Sequence, residues 1–159
     1  MHFSLLVTTE GVSLERISVD QPTNEDSNWH SAAQTVGFAT PGYKNSQFLD
    51  KSDLTEEITV SPEIFSPDND GKDDLLEISY KFGQPGFVAT ITIFDAKGRT
   101  ACKLVQNELL GSSGSFMWDG TEDNGQLALK GVYLVYIQVF NLNGNLKEYK
   151  KTCVLAGYL

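Results

Sequence analysis

Histidine is scarce in this 159-residue chain: it has only His2 and His30, neither near a plausible nucleophile in sequence. A Ser-His-Asp or Cys-His arrangement would have to recruit one of two terminal or loop histidines, so nucleophilic catalysis has no foundation here. Cysteine is equally sparse. Cys102 and Cys153 lack Cys-x-x-Cys spacing, which argues against a zinc site or a redox motif, and two buried thiols are expected rather than a disulfide. No stretch approaches the roughly 20 apolar residues that span a bilayer, so membrane insertion is not expected. The opening run Met1 to Val7 has too short an apolar core, no preceding positive charge and no small-residue cleavage site. If the protein is exported, a signal of that kind is expected upstream or already removed. Positive charge is also in deficit, with 12 basic against 21 acidic residues and a formal net charge of −9. Such a surface repels phosphates and anionic headgroups, which excludes nucleic acid as an expected partner. There is no glycine-rich phosphate loop, and the many carboxylates gather in turn-like segments, so glycosidase chemistry has no support beyond composition. The chain reads as non-enzymatic.

What is present suffices for one good core: 40% of residues are hydrophobic and 11% aromatic. Three stretches differ in character. Residues 1–48 hold an alternating run, Val12-Ser13-Leu14-Glu15-Arg16-Ile17, and a second short apolar run from Leu5 to Thr8, followed by a long Asn, Ser, Thr, Gly and Pro-rich stretch that reads as loop. Two strands are not stable alone in water, so this segment is expected to pack on the larger domain, pair with other sequence or stay mobile. Residues 49–56 read as a charged linker.

Residues 57–159 are regular. Strand-like runs at about 57–65, 75–82, 87–94, 99–106, 115–118, 132–140 and 146–155 are spaced as a sandwich requires. Asp95-Ala96-Lys97-Gly98 and Asn141-Leu142-Asn143-Gly144 carry the residues of hairpin turns. Alternation places Phe87, Ala89, Ile91 and Ile93 on one side of their strand, and Tyr133, Val135, Ile137 and Val139 on one side of theirs. The latter strand is also apolar on its other face, at Leu134, Tyr136 and Phe140, so it is either central or covered by the N-terminal segment. The last strand, with Lys147, Lys150 and Lys151, suits a charged edge. The expected fold is all-β: an immunoglobulin-like sandwich of about seven antiparallel strands with an incomplete N-terminal segment.

The densest constellation of potential ligands is Phe65-Ser66-Pro67-Asp68-Asn69-Asp70-Gly71-Lys72-Asp73-Asp74. Crowding carboxylates into one turn is unfavourable unless solvent or a cation neutralises them. On the calcium-loop template Asp68, Asp70 and Asp74 take ligand positions, Gly71 the sharp turn and Glu77 the last position, with Asp73 beside them. Calcium is the one cofactor this pattern suggests. The flanks read as strands rather than EF-hand helices, and the competing reading is an Asx-stabilised loop open to water.

A second acidic turn, Trp118-Asp119-Gly120-Thr121-Glu122-Asp123-Asn124-Gly125, supports two readings. Trp118 plugs the sandwich end while Asp119 accepts backbone N–H groups, or Trp118 stacks on a sugar beside Asp119 and Asn124, as in an accessory carbohydrate-binding module. Tyr133, two residues after Gly131, is a candidate tyrosine corner bonding back to the preceding loop.

These runs, together with Ile91-Thr92-Ile93-Phe94-Asp95-Ala96-Lys97-Gly98-Arg99 and Gly131-Val132-Tyr133, form an ordered series over about 95 residues. The series resembles the Ig-like domain of flagellar hook-capping proteins and the C-terminal domain of gliding-motility-associated secreted proteins. That resemblance implies an Ig-like sandwich placed last in a long cell-surface or secreted bacterial protein, and for the gliding-type relatives a role as a type IX secretion signal. The relatives usually carry Asn-Gly-Asp-Gly where this chain has Asp68-Asn69-Asp70-Gly71. Residues 1–48, through Gly11-Val12-Ser13-Leu14-Glu15-Arg16-Ile17, Asn28-Trp29-His30-Ser31-Ala32 and Ala39-Thr40-Pro41-Gly42-Tyr43-Lys44-Asn45, are similar to the closing part of a bacterial lamin-tail domain. The leading functional expectation is a non-enzymatic interaction or anchoring module, exported, with a protein or cell-envelope partner. The alternatives are a type IX secretion-targeting domain and a carbohydrate-binding module.

Overall fold

The computed structural model describes residues 2–49, 57–144 and 146–157. The linker expected at 49–56 lies, apart from Leu49, outside the described residues. The N-terminal part contributes β1 (Leu14–Arg16) and β2 (Trp29–Ser31), an antiparallel pair. The larger part contributes β3 (Glu57–Ser61), β4 (Ile64–Phe65), β5 (Leu76–Lys81), β6 (Phe87–Asp95), β7 (Thr100–Leu109), β8 (Ser113–Trp118), β9 (Gly131–Asn141) and β10 (Leu146–Leu155). These eight form two sheets, ordered β4-β10-β9-β6-β7 and β3-β5-β8. The all-β sandwich read from alternation is present; the helical content described is two single 3-10 turns, Asp26–Asn28 and Gln34–Val36. Among the described residues no helix is long and apolar enough to cross a membrane.

The alternation sets the core. Odd positions of β6 and β9 and even positions of β5 point inward, so Ile91, Ile93, Val135 and Ile137 of one sheet meet Leu76 and Ile78 of the other, each at most 2% exposed. Burying such side chains contributes roughly 1.5–3 kcal/mol apiece. Gly98 closes the β6–β7 hairpin at φ +79°, a left-handed conformation that a side chain would strain.

Three details depart from expectation. The run 57–65 is two strands, because Pro62 has no N–H to continue a ladder and the chain crosses there from the three-stranded sheet to the five-stranded one. Leu5 to Thr8 forms no strand; the chain turns at Leu5 and bends at Val7. The lysine-bearing strand β10 is an edge only along Leu146–Cys153, since Val154 and Leu155 pair in parallel with Ile64 and Phe65 of β4.

The N-terminal segment packs on the sandwich. Phe3 is 5% exposed against Val88 and Leu109, with Leu6 and Phe140 beside them, so β9 is both central and covered at its Phe140 end. A polar seam completes the contact. Glu15 is buried and accepts hydrogen bonds from the Thr40 hydroxyl, the Ser46 hydroxyl (2.6 Å) and the Gln47 N–H (3.2 Å). Gln47 is fully buried and donates to Ser31 O and, across the seam, to Leu110 O at 3.2 Å. A buried carboxylate with three donors is tolerated where a bare one would not be.

Candidate functional site

The two acidic turns, far apart in sequence, meet at one end of the sandwich beside the end of β10. The first, residues 66–74, hangs between β4 and β5. Its carboxylates are turned onto its own backbone: Asp74 accepts from the N–H groups of Asn69 (2.7 Å) and Gly71 (2.8 Å), Asp70 from Lys72 (2.7 Å), and Asp68 from Asp70 (3.2 Å) and the Ser66 hydroxyl (3.0 Å). Four of these five bonds satisfy an amide that the turn leaves without a strand partner. One oxygen from each of Asp68, Asp70 and Asp74 falls within 4.8 Å of the others. Of the five residues assigned to calcium, these three converge; Asp73 and Glu77 do not join them. Glu77 lies on β5 opposite Met117, on the strand face away from the buried Leu76 and Ile78, so strand alternation takes it out of the loop's reach.

The second turn, residues 119–130, follows β8. Asp119 accepts from the Thr121 N–H (2.9 Å) and from its hydroxyl, which hold the Asp119 carboxyl below the usual carboxylate range. Asn124 bridges within the turn, accepting from Gln126 N–H at 2.7 Å and donating to Glu122 at 3.0 Å. Asp123 ties the turn to β7, its N–H donating to Ala101 O and its carboxylate accepting from Lys103 N–H.

Trp118 overturns the stacking reading. Its indole is 1% exposed, lies 5.3 Å from both Phe65 and Tyr133, and donates its N–H to Thr121 O at 2.8 Å. A ring wedged between two others has no face for a sugar, and Asp119 and Asn124 are occupied in their own turn. The expected tyrosine corner is present: Tyr133 donates to Leu129 O at 2.6 Å.

The loops touch at Gly120, where a Cβ would come within 2.8 Å of a Leu155 methyl and 3.2 Å of Pro67. Around this contact Pro67, Leu127, Leu129, Lys130 and Leu155 line a cleft of about 320 Å³. The parallel pairing of β4 with β10 brings the acidic loop to the C-terminal strand, with Ala156 N–H donating to Phe65 O at 2.8 Å. This meeting was not legible in the sequence, because it depends on the crossover at Pro62. Catalytic groups do not assemble there. His30 packs instead at the seam with the N-terminal segment, 5.6 Å from the ring of Phe3, and burial lowers its pKa.

No curated protein matches the chain. Among solved structures it is similar to CopC from Methylosinus trichosporium OB3b, at 13% identity and a TM-score of 0.40 over 65% of this chain and 97% of that one. It is also similar to FLGD from P. aeruginosa, at 21% identity and a TM-score of 0.41 over 64% and 77%. At these scores neither likeness bears on function. A family model does match, across residues 59–155, from β3 to the end of β10, with residues 1–48 outside it. A secretion signal is a non-catalytic kind of domain and marks an exported protein. By that match the chain belongs to the CHU_C type IX secretion signal domain family.

Proposed function

We propose that the sandwich of residues 57–157 is the export signal by which a type IX secretion machinery recognises and passes on the protein that carries it. The single observation that carries this reading is the family match over residues 59–155, which spans every strand of the sandwich except the first two residues of β3. This reading displaces anchoring as the first expectation; cell-surface residence after export is a proposal that follows from it. Deleting residues 56–159 from the protein that bears them should strand that protein in the periplasm. Normal export of the truncated protein would end the reading.

Two narrower proposals accompany it. Calcium, confined to Asp68, Asp70 and Asp74, is supported by their convergence within 4.8 Å and opposed by the amides already donating to the same carboxylates. Descent of residues 1–48 from the closing part of a lamin-tail domain is supported by the β1–β2 pair.

A further inference from the structure

The chain's two histidines, far apart in sequence, meet at one buried serine. His2 Nδ1 lies 3.1 Å from the Ser31 hydroxyl, which also accepts the Phe3 N–H at 2.9 Å, and His30 Nδ1 donates to Ser31 O at 3.1 Å. A carbonyl can only accept, so Nδ1 of His30 carries the proton and Nε2 of the neutral ring is bare. That bare nitrogen faces Gly86 in the turn between β5 and β6, where a Cβ would come within 3.0 Å of it. On another side stands Phe3, its ring centroid 5.6 Å from that of His30. Among the described residues Nε2 has no hydrogen-bond partner, so a proton added there arrives without an acceptor.

The cluster sits where residues 2–49 dock. Phe3, bonded to Ser31, covers Val88 and Leu109, and Gly86 stands two residues before Val88. This contact is also incompletely satisfied. Of three buried polar side-chain atoms left without a hydrogen bond among the described residues, Gln47 Oε1 lies at the seam and Arg16 Nε in the segment, while Tyr80 Oη reaches towards Thr35 and Gly111 without a well-formed bond. Each such atom weakens the docking relative to a fully paired interface. The charges nearby do not rescue a cation at His30. Glu15 is in register with it across the β1–β2 pair, but the Glu15 carboxylate is engaged by Thr40, Ser46 and Gln47. The Arg16 guanidinium is on the carbonyls of Val19 and Gln21, and the turn Gln84-Pro85-Gly86 carries no charge. Protonated together, His2 and His30 would set two cations on one serine.

We infer that the docking of residues 2–49 on the sandwich is an acid-released clasp: protonation of His30, with His2 beside it, frees Phe3 and uncovers Val88, Leu109 and Phe140 while the sandwich stays folded. Burial lowers the His30 pKa, opposed in part by the Ser31 carbonyl, with a smaller lowering from the α-amino group. The undocked segment therefore takes up the proton first. The advantage of docking is whole above the ordinary histidine value of 6.5 and is lost as pH falls through the lowered one. Release of Phe3 and Leu6 exposes the apolar side chains beneath them, so acid changes which surface the chain presents.

The test follows hydrogen exchange of the whole chain near pH 7.5 and near pH 5, as protection factors corrected for the intrinsic rate, beside the ring-proton NMR titration of His30. The inference expects protection across residues 13–47 to fall about tenfold or more in acid, with a midpoint that coincides with the His30 titration, while β6 and β9 keep theirs. His30→Phe keeps a ring against Phe3 and cannot titrate, so it should abolish the fall; His30→Gln does the same if the larger ring does not fit beside Gly86. Protection independent of pH would overturn the inference, as would a midpoint apart from the His30 titration. A fall retained in the His30 variants would place the acid sensitivity in Glu15 or His2 and overturn it. Loss of protection in β6 and β9 together with the segment would overturn it too, since the sandwich would then unfold as one with its cover.

Discussion

Trp118 and Tyr133 meet edge to face, with ring centroids 5.3 Å apart and planes at 65°, and both hydrogen-bond outward to loop carbonyls, Trp118 to Thr121 and Tyr133 to Leu129. The pair plugs the end of the sandwich and fixes the turn between β8 and β9 at two points. Trp118→Ala should therefore cost about 3–5 kcal/mol in urea denaturation, a large share of a domain's usual stability. A loss below about 1 kcal/mol would mean that the indole is not the plug described here.

Glu15 carries a separate prediction, because its carboxylate is the shared acceptor for Thr40, Ser46 and Gln47. Glu15→Ala leaves the buried Gln47 N–H and the half-buried Thr40 and Ser46 hydroxyls without their acceptor and should cost about 2–3 kcal/mol. The loss should be local. Hydrogen exchange should quicken across residues 13–47 while the amides of β6 and β9 keep their protection; uniform loss of protection would contradict a seam that opens by itself.

The acidic loop separates self-neutralisation from a bound cation. Asp74→Ala removes the acceptor of the Asn69 and Gly71 amides and should cost about 1 kcal/mol with or without calcium. The calcium proposal further expects a melting-temperature rise of a few degrees at millimolar calcium, reversed by chelator and absent in Asp70→Ala. No shift would leave the loop to its own amides.

The two cysteines give a prediction in alkali. They lie on β7 and β10 with β6 and β9 between them, three strand spacings or roughly 14 Å apart, too far for a disulfide. Burial pushes both thiols up to about 11, with Asp123 and Asp119 adding to the effect at Cys102. The native chain should resist thiol reagents near pH 8, and Cys153, 1% exposed, should react only on unfolding. A raised pKa means that the unfolded chain sheds these protons first. Their contribution to stability is whole below the ordinary thiol value near 9 and is lost as pH rises towards 11. Replacing Cys153 with Ala should flatten the stability profile over that window.

Much of the sandwich was legible because its strands follow a strict period of two. Ile91 and Val135 announce their inward side by the polar or differently buried residues between them, and the Asp95–Gly98 and Asn141–Gly144 turns by their glycines. The candidate site was less legible. Trp118 and Asp119 adjoin in sequence, yet one is core and the other surface, and only the packing of Phe65 and Tyr133 on the indole decides between plug and platform. Glu77 fitted a loop template by spacing alone, but spacing in a loop is not spacing along a strand, where alternation turned it away. The crossover at Pro62, which joins the two acidic turns, is a long-range event that no local pattern encodes.

The central claim is that the sandwich suffices for export. A periplasm-directed reporter ending in this chain should appear outside cells with an intact type IX machinery and stay in the periplasm when that machinery is deleted. The same reporter held in the periplasm of the intact strain, with the sandwich folded, would contradict it.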